Sequence, residues 1–122
     1  MNRVGLEYGK WLGAMGFNYI ATIRRHFPLT EFNTNSIMQR LIRHKGIDRL
    51  FYAIEPDRQD NMTHAHLMLL ANAHYDRGRL ARELGIDKKA VSFLDKVEDA
   101  SAISYYCTKH IRRPFSFYDI LF

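Results

Sequence analysis

The stretch LFYAIEPDRQDNMTHAHLMLL, residues 50–70, decides the fold of this chain. Its first part, residues 50–55, is apolar and aromatic, and residues 63–70 alternate in polarity before ending in leucines. Both runs have the length and composition of β-strands. The polar segment between them, residues 56–61, contains proline, aspartate and asparagine, which are typical of turns. The stretch therefore predicts two strands paired as an antiparallel hairpin.

The second strand of this hairpin carries the motif His64-Ala65-His66. Side chains alternate between the two faces of a strand, so both imidazoles point to one face while Ala65 and Leu67 point to the other. Histidine is the commonest metal ligand in proteins. The pair therefore predicts a metal site on one face of the sheet, and an incidental half-exposed pair is the alternative.

Glu55, on the first strand, is the candidate third ligand. If the turn places Glu55 opposite His64, Glu55 shares the histidine face while Tyr52 turns to the core, which is a self-consistent register. Asp57 has the same parity but lies in the turn, so it is the second candidate. A third imidazole from His110 is a further alternative, and it would suit zinc better than magnesium.

The segments on either side of the hairpin complete an α+β pattern. Before it, residues 6–15 predict a helix, residues 17–24 a strand, and the segment capped by Asn33-Thr34 and followed by Gly46 a second helix. After it, the predicted elements are a helix over residues 76–84, a strand over residues 90–94 and a helix over residues 101–110 that begins after Asp99. The order β-α-β-β-α-β-α is that of the ferredoxin-like split βαβ motif. We expect a central antiparallel sheet of four to five strands with helices on both faces.

The composition indicates one small basic domain. At 122 residues, the chain is expected to form a single domain over residues 1–122 without a helicase domain, since no phosphate-binding Gly-x-x-x-x-Gly-Lys loop is present. No apolar run approaches the roughly 18 residues of a membrane span. The absence of a signal-peptide pattern and the single Cys107 favour the cytoplasm. A net charge of +5 predicts an anionic partner, nucleic acid first, with a solvated basic surface as the alternative.

The last predicted helix carries Tyr106 and Lys109, which are three residues apart and therefore share a face. A phenol with its ordinary pKa of about 10 is a poor nucleophile, and a nearby ammonium group and divalent cation would favour the phenolate. Tyr105 points about 100° away from Tyr106, so only one of the two can face a metal. The spacing to Lys109 favours Tyr106 and does not exclude Tyr105. A core aromatic is the alternative role of Tyr106.

With these motifs together, the chain resembles the HUH endonucleases, and within them the single-tyrosine Rep proteins that initiate rolling-circle replication of small viruses and plasmids. The resemblance rests on His64-Ala65-His66, on Tyr106-Cys107-Thr108-Lys109, and on Glu55 in the strand before the histidines. The order of the motifs also agrees, and the resemblance spans residues 17–113. It implies an HUH-type DNA endonuclease and nucleotidyltransferase.

The resemblance implies the following chemistry. His64, His66 and Glu55 would hold one divalent cation, Mg²⁺ or Mn²⁺, beside the scissile phosphate of single-stranded DNA. Tyr106 would attack phosphorus to leave a 5′-phosphotyrosine and a free 3′-hydroxyl that primes replication, while Lys109 would neutralise charge or move a proton. The implied partners are a replication origin, host replication proteins and, as one expectation, a second copy of the chain.

Contacts with the DNA backbone are predicted for two arginine pairs. Arg112-Arg113 follows the tyrosine motif and Arg24-Arg25 follows the first strand. Phe115 and Phe117, farther along the chain, either stack on unpaired bases or cover an edge of the sheet.

Three other functions fit parts of the pattern. A single-tyrosine transposase of an insertion sequence shares the histidine motif, the tyrosine helix and the size, but usually has glutamine where this chain has Lys109. A nucleic-acid-binding module without catalysis would leave the histidines incidental. A zinc-binding structural domain would require the metal for folding.

Overall fold

The structure is a computed structural model, and it describes residues 3–57, 62–97, 101–103, 105–106 and 117–122. Its regular elements, in chain order, are α1 (Arg3–Gly13), β1 (Tyr19–Ile23), α2 (Glu31–Ile42), β2 (Ile47–Pro56), β3 (Thr63–Ala71), α3 (Arg77–Leu84), a 3₁₀ turn (Lys88–Ala90), β4 (Val91–Lys96) and β5 (Phe117–Leu121). Residues 101–103 and 105–106 are also helical, and we call them the tyrosine helix.

The five strands form one sheet in the order β4-β1-β3-β2-β5, and every neighbouring pair is antiparallel. The hairpin of β2 and β3 lies at its centre, as the sequence predicts. The helix α2 connects β1 to β2, and α3 connects β3 to β4, which is the split βαβ connectivity. The predicted α+β fold with an antiparallel sheet is confirmed.

Helices cover both faces of this sheet. On one side, which we call the α2/α3 face, Met38 and Leu41 of α2 and Leu80 and Leu84 of α3 pack on the apolar side chains of the strands. On the other side, which we call the histidine face, α1 contributes the buried side chain of Leu12, and residues 103 and 106 of the tyrosine helix join the same cluster. Among the described residues, every helix falls short of the length and apolarity that a membrane span requires.

The predicted start of α2 is wrong. Thr30, not Asn33-Thr34, is the N-cap: its hydroxyl accepts a hydrogen bond from the backbone N–H of Asn33 at 3.2 Å. The Asn33 side chain accepts one from the backbone N–H of Thr30 at 2.8 Å. This is a reciprocal capping box with asparagine in the place usually taken by glutamate. The helix begins earlier because the box satisfies two backbone donors at once.

The predicted end of α2 is also wrong. The helix ends at Ile42 with Arg43 as its C-cap, so Gly46 is not part of the cap. Gly46 lies instead where the chain approaches the loop before α3. A Cβ at this position would lie 2.5 Å from the hydroxyl oxygen of Tyr75, so a close approach explains the glycine.

Other boundaries shift by a few residues. The helix α3 does end before Gly85, which adopts φ +77° as expected for a C-terminal glycine. The strand β4 begins at Val91, because Lys88–Ala90 form the 3₁₀ turn. The segment Phe117–Leu121 is a strand, β5, which the sequence suggested only as a tail covering a sheet edge.

Candidate metal centre and tyrosine site

The register of the central hairpin places the metal candidates. Glu55 pairs directly with His64, and Ala53 pairs with His66. Tyr52 is fully buried on the α2/α3 face, as the predicted register requires. Strand alternation therefore brings one carboxylate and two imidazoles together on the histidine face.

Three ligand atoms from these residues face one another. The Nε2 atoms of His64 and His66 are 3.2 Å apart, and Oε1 of Glu55 lies 3.3 Å from the first and 3.9 Å from the second. A divalent cation with bonds of about 2.1 Å holds neighbouring ligands roughly 3 Å apart in octahedral geometry. The separations are therefore close to those that one bound cation would impose.

Burial supports the same interpretation. All three side chains are buried, and Oε2 of Glu55 has no hydrogen-bond partner among the described residues. Buried carboxylate oxygens without partners are rare in folded proteins, because their desolvation is uncompensated. A cation at this point would satisfy the carboxylate, so the residues fit a divalent metal ion.

The protonation states also suit metal binding. Burial acts to raise the pKa of Glu55, but hydrogen bonds and charge interactions with His64 and His66 outweigh it and lower the pKa to about 2. Burial lowers the pKa of His66, and the neighbouring His64 lowers it further against the opposing effect of Glu55. At neutral pH the site thus presents a carboxylate and a neutral imidazole of His66, the forms that coordinate metals.

Asp57, the second candidate for third ligand, contacts the other side of His64. Its Oδ1 lies 2.6 Å from Nδ1 of His64, while Nη1 of Arg24 donates to both oxygens of Asp57 at 3.0 and 3.1 Å. An Nδ1–H that donates to Asp57 leaves the lone pair on Nε2, which is the atom facing Glu55. Asp57 is thus placed to orient His64 rather than to join the cluster of ligand atoms.

Tyr106 contacts the second histidine. Its hydroxyl oxygen lies 2.8 Å from Nδ1 of His66 and 3.1 Å from the hydroxyl of Thr22. Its ring is buried and stacks on Phe93, with 6.0 Å between centroids and 12° between planes. Tyr105, by contrast, is 67% exposed. Of the two tyrosines, Tyr106 is the one next to the histidines, and its ring is also a core aromatic.

Thr22 is a site residue that the motifs did not single out. It lies on β1, where it pairs with His66 of β3, and it shares the histidine face with Ile20. Its polar side chain in an otherwise apolar strand was the available signal. Because β1 and β3 are separated by a helix and another strand, their register could not be predicted from local sequence.

The predicted DNA contacts are placed only in part. Arg24 and Arg25 line a cavity of about 320 Å³ that also includes Lys89. Lys109, His110, Arg112-Arg113 and Phe115 lie outside the described residues.

The ring of Phe117 is in the sheet region, at 5.9 Å from that of Tyr52. Its strand, β5, pairs along β2, so the interpretation that this segment covers a sheet edge is confirmed for residues 117–121.

Comparison with models of protein families, with curated proteins and with solved structures finds no match to this chain. Inference about its function therefore rests on the chemistry of the site. That chemistry combines a fit for a divalent cation with a tyrosine hydroxyl hydrogen-bonded to one of the metal candidates.

Proposed function

We propose that this chain nicks and rejoins single-stranded DNA through Tyr106, assisted by a divalent cation bound to Glu55, His64 and His66. One observation carries the proposal: the hydroxyl of Tyr106 lies 2.8 Å from Nδ1 of His66, across 40 residues of sequence. The other nitrogen of the same imidazole faces the remaining candidate ligands. A nucleophile and a metal site thus share one histidine, as HUH chemistry requires.

The ligand set suggests which cation is used. When bound, Mg²⁺ or Mn²⁺ would act as a Lewis acid on a phosphoryl oxygen and offset the charge that develops there. Two imidazoles and one carboxylate suit Mn²⁺ better than Mg²⁺, because Mg²⁺ prefers oxygen ligands and affinity rises from left to right along the first-row metals.

His66 also prepares Tyr106 for the reaction. With its Nε2 lone pair directed at the cation, His66 carries its proton on Nδ1 and donates it to the phenol oxygen of Tyr106. The phenol in turn donates to the hydroxyl of Thr22, which holds the oxygen in position. A hydrogen bond donated to the phenol oxygen stabilises the phenolate more than the phenol.

The reaction is a transesterification. The oxygen of Tyr106 forms a bond to phosphorus, and the bond from phosphorus to the 3′ oxygen breaks. The phenol proton ends on that oxygen, which leaves a 5′-phosphotyrosine and a 3′-hydroxyl. Because the phosphodiester is retained, rejoining needs no external energy source. In keeping with the resemblance, we assign this activity to the initiation of rolling-circle replication of a virus or plasmid in the host cytoplasm.

The test is the capture of the covalent adduct. The protein is incubated with a pool of single-stranded oligonucleotides and Mn²⁺, and the DNA-bound peptide is mapped by mass spectrometry. We expect an adduct on Tyr106 that the Tyr106→Phe variant loses. The Tyr105→Phe variant is the matched control and should retain it.

Two results would contradict the proposal. An adduct that survives Tyr106→Phe but is lost with Tyr105→Phe would assign the nucleophile to the exposed tyrosine. DNA binding with no adduct, while Mn²⁺ is bound, would favour a nucleic-acid-binding module without catalysis.

A further inference from the structure

A groove of about 810 Å³ lies between α3 and β4, on the α2/α3 face. Its wall is formed by the loop before α3, by α3 itself, by the 3₁₀ turn and by the end of β4. Positive charge dominates it, because two acidic residues, Asp76 and Asp95, are outnumbered by five cationic ones: Arg77, Arg79, Arg82, Lys88 and Lys96.

Two of these cations are fixed by the fold. The Nε of Arg79 donates to Glu83 at 2.9 Å, and the Nε of Arg77 donates to the carbonyl oxygen of Val91 at 2.7 Å. The other three, Arg82, Lys88 and Lys96, are exposed.

The positive potential is also felt by Asp76. Its pKa is lowered, first by the backbone N–H of Arg79 and further by the charges of His74, Lys88 and Arg82.

The three exposed cations are distributed along the groove rather than gathered at a point. Lys88 precedes β4 and Lys96 ends it, so at least the length of a six-residue strand, about 17 Å, separates their backbones. Arg82 lies on a different element, α3. A single phosphate ion could not contact all three, whereas a nucleic-acid backbone carries one phosphate on every nucleotide.

The groove is separate from the metal centre. Its residue Tyr19 belongs to the core of the α2/α3 face and pairs with Leu69, three residues beyond His66 along β3. The groove therefore lies on the opposite face of the sheet and about 10 Å farther along the strands. The edge strand β4 borders it, so a nucleic acid could pass around that edge.

We propose that this groove binds the sugar-phosphate backbone of nucleic acid as a second site, distinct from the metal centre. The contacts would be electrostatic, with Arg82, Lys88 and Lys96 neutralising phosphates without reading sequence. This binding needs neither the metal nor the covalent step.

The test measures binding alone. Fluorescence anisotropy of a labelled single strand of about 30 nucleotides is recorded in EDTA over a range of salt concentrations, in a Tyr106→Phe background. We expect the triple variant Arg82→Ala, Lys88→Ala, Lys96→Ala to bind about 10-fold more weakly. Its salt dependence should fall by about 2 in log–log slope, since each lost contact on a single strand removes about 0.7.

A matched variant controls for net charge. Lys10→Ala, Arg43→Ala, Lys45→Ala removes the same charge from exposed residues outside the groove, and we expect its affinity to fall less than about 3-fold. Melting curves check that both variants fold. If the groove variant melts early, the single reversals Lys88→Glu and Lys96→Glu replace it, and each should weaken binding by about 3-fold.

Three results would overturn the proposal. The two triple variants would lose affinity equally if only net charge mattered. The single reversals would leave affinity unchanged if the groove made no contact. Inorganic phosphate would displace the DNA far better than chloride at equal ionic strength if the groove were a site for small phosphates. None of these outcomes bears on the adduct at Tyr106, so the second site and the proposed chemistry fail independently.

Discussion

At the scale of single residues, the site is a chain of hydrogen bonds organised around two imidazoles. Asp57 contacts Nδ1 of His64, and Tyr106 contacts Nδ1 of His66, so each histidine has its Nε2 available to the cluster with Glu55. The partners of Nδ1 decide which nitrogen carries the proton. Changes at those partners should therefore alter metal affinity and reactivity in separable ways.

Replacement of Asp57 tests the orientation of His64. In Asp57→Ala, the Nδ1–H of His64 loses its acceptor and Arg24 loses its ion pair. Loss of such an outer partner typically weakens metal binding by about 10- to 100-fold. Titration calorimetry with Mn²⁺ measures the change, and Asp48→Ala, at an exposed carboxylate away from the site, is the control. An unchanged dissociation constant would show that Asp57 does not orient the ligand.

Replacement of Thr22 tests the positioning of Tyr106. Thr22→Val keeps the branched shape and removes the hydroxyl that bonds the phenol. Loss of one hydrogen bond of about 1 kcal/mol should slow adduct formation by roughly 5- to 10-fold. The affinity for Mn²⁺ should not change, and Thr22→Ser should restore most of the rate. A purely structural role would instead give equal rates in the valine and serine variants once both are folded.

At the scale of elements, α3 is fastened to the loop before it by a buried polar cluster. Glu83 accepts hydrogen bonds from the hydroxyl of Tyr75 at 2.5 Å and from Nε of Arg79 at 2.9 Å. Gly46, after α2, approaches the same tyrosine so closely that a side chain would collide. The cluster thus fixes α3 against the end of α2 and also holds one wall of the basic groove.

This cluster predicts a pH dependence of stability. Burial acts to raise the pKa of Glu83, but hydrogen bonds from Tyr75 and Arg79 outweigh it and lower the pKa. A folded-state pKa below the unfolded one stabilises the protein above the unfolded value of about 4.3, and that stabilisation is lost as the pH falls through the folded pKa. We expect Glu83→Gln to reduce the free energy of unfolding by about 1.5–3 kcal/mol at pH 7 and by much less at pH 3.

Urea denaturation at the two pH values measures the effect. Glu31→Gln, at an exposed glutamate that lies outside this cluster, serves as the control. Equal destabilisation by Glu83→Gln at pH 7 and pH 3 would show that the charge of Glu83 contributes nothing.

At the scale of the whole molecule, metal binding should be linked to folding without being required for it. The ligands come from β2 and β3, the central hairpin, so unfolding destroys the site. Two apolar clusters on opposite faces of the sheet hold the fold independently of the ligands. A zinc-dependent structural domain would instead unfold when a chelator removes the metal.

Thermal melting checks this expectation. Mn²⁺ at 100 times its dissociation constant should stabilise the native state by about 2.7 kcal/mol and raise the melting temperature by roughly 10 °C. Mg²⁺ at the same concentration should have a smaller effect. EDTA should reverse the shift and leave a cooperative transition, and His66→Ala should abolish it while His44→Ala, at an exposed histidine, should not. Loss of the cooperative transition in EDTA would favour the structural-metal alternative.

The sequence by itself determined the elements whose contacts are local. The hairpin joins strands separated by a short turn, and one choice of register puts Tyr52 in the core and Glu55 beside His64, so alternation was enough to predict it. The proximity of Tyr106 to His66 was expected only from family resemblance. The helical spacing selected Tyr106 over Tyr105, and the structure places Tyr106 at the histidines.

Only the tertiary structure decided what depends on distant segments. Thr22 joined the site because β1 pairs with β3 in a register that no local pattern fixes. Asp57 became a partner of Nδ1, rather than a ligand, because its position just beyond the strand directs it to the other side of His64. The basic groove likewise unites side chains from α3, a turn and β4, whose charges are far apart in sequence and meet only when the sheet is assembled.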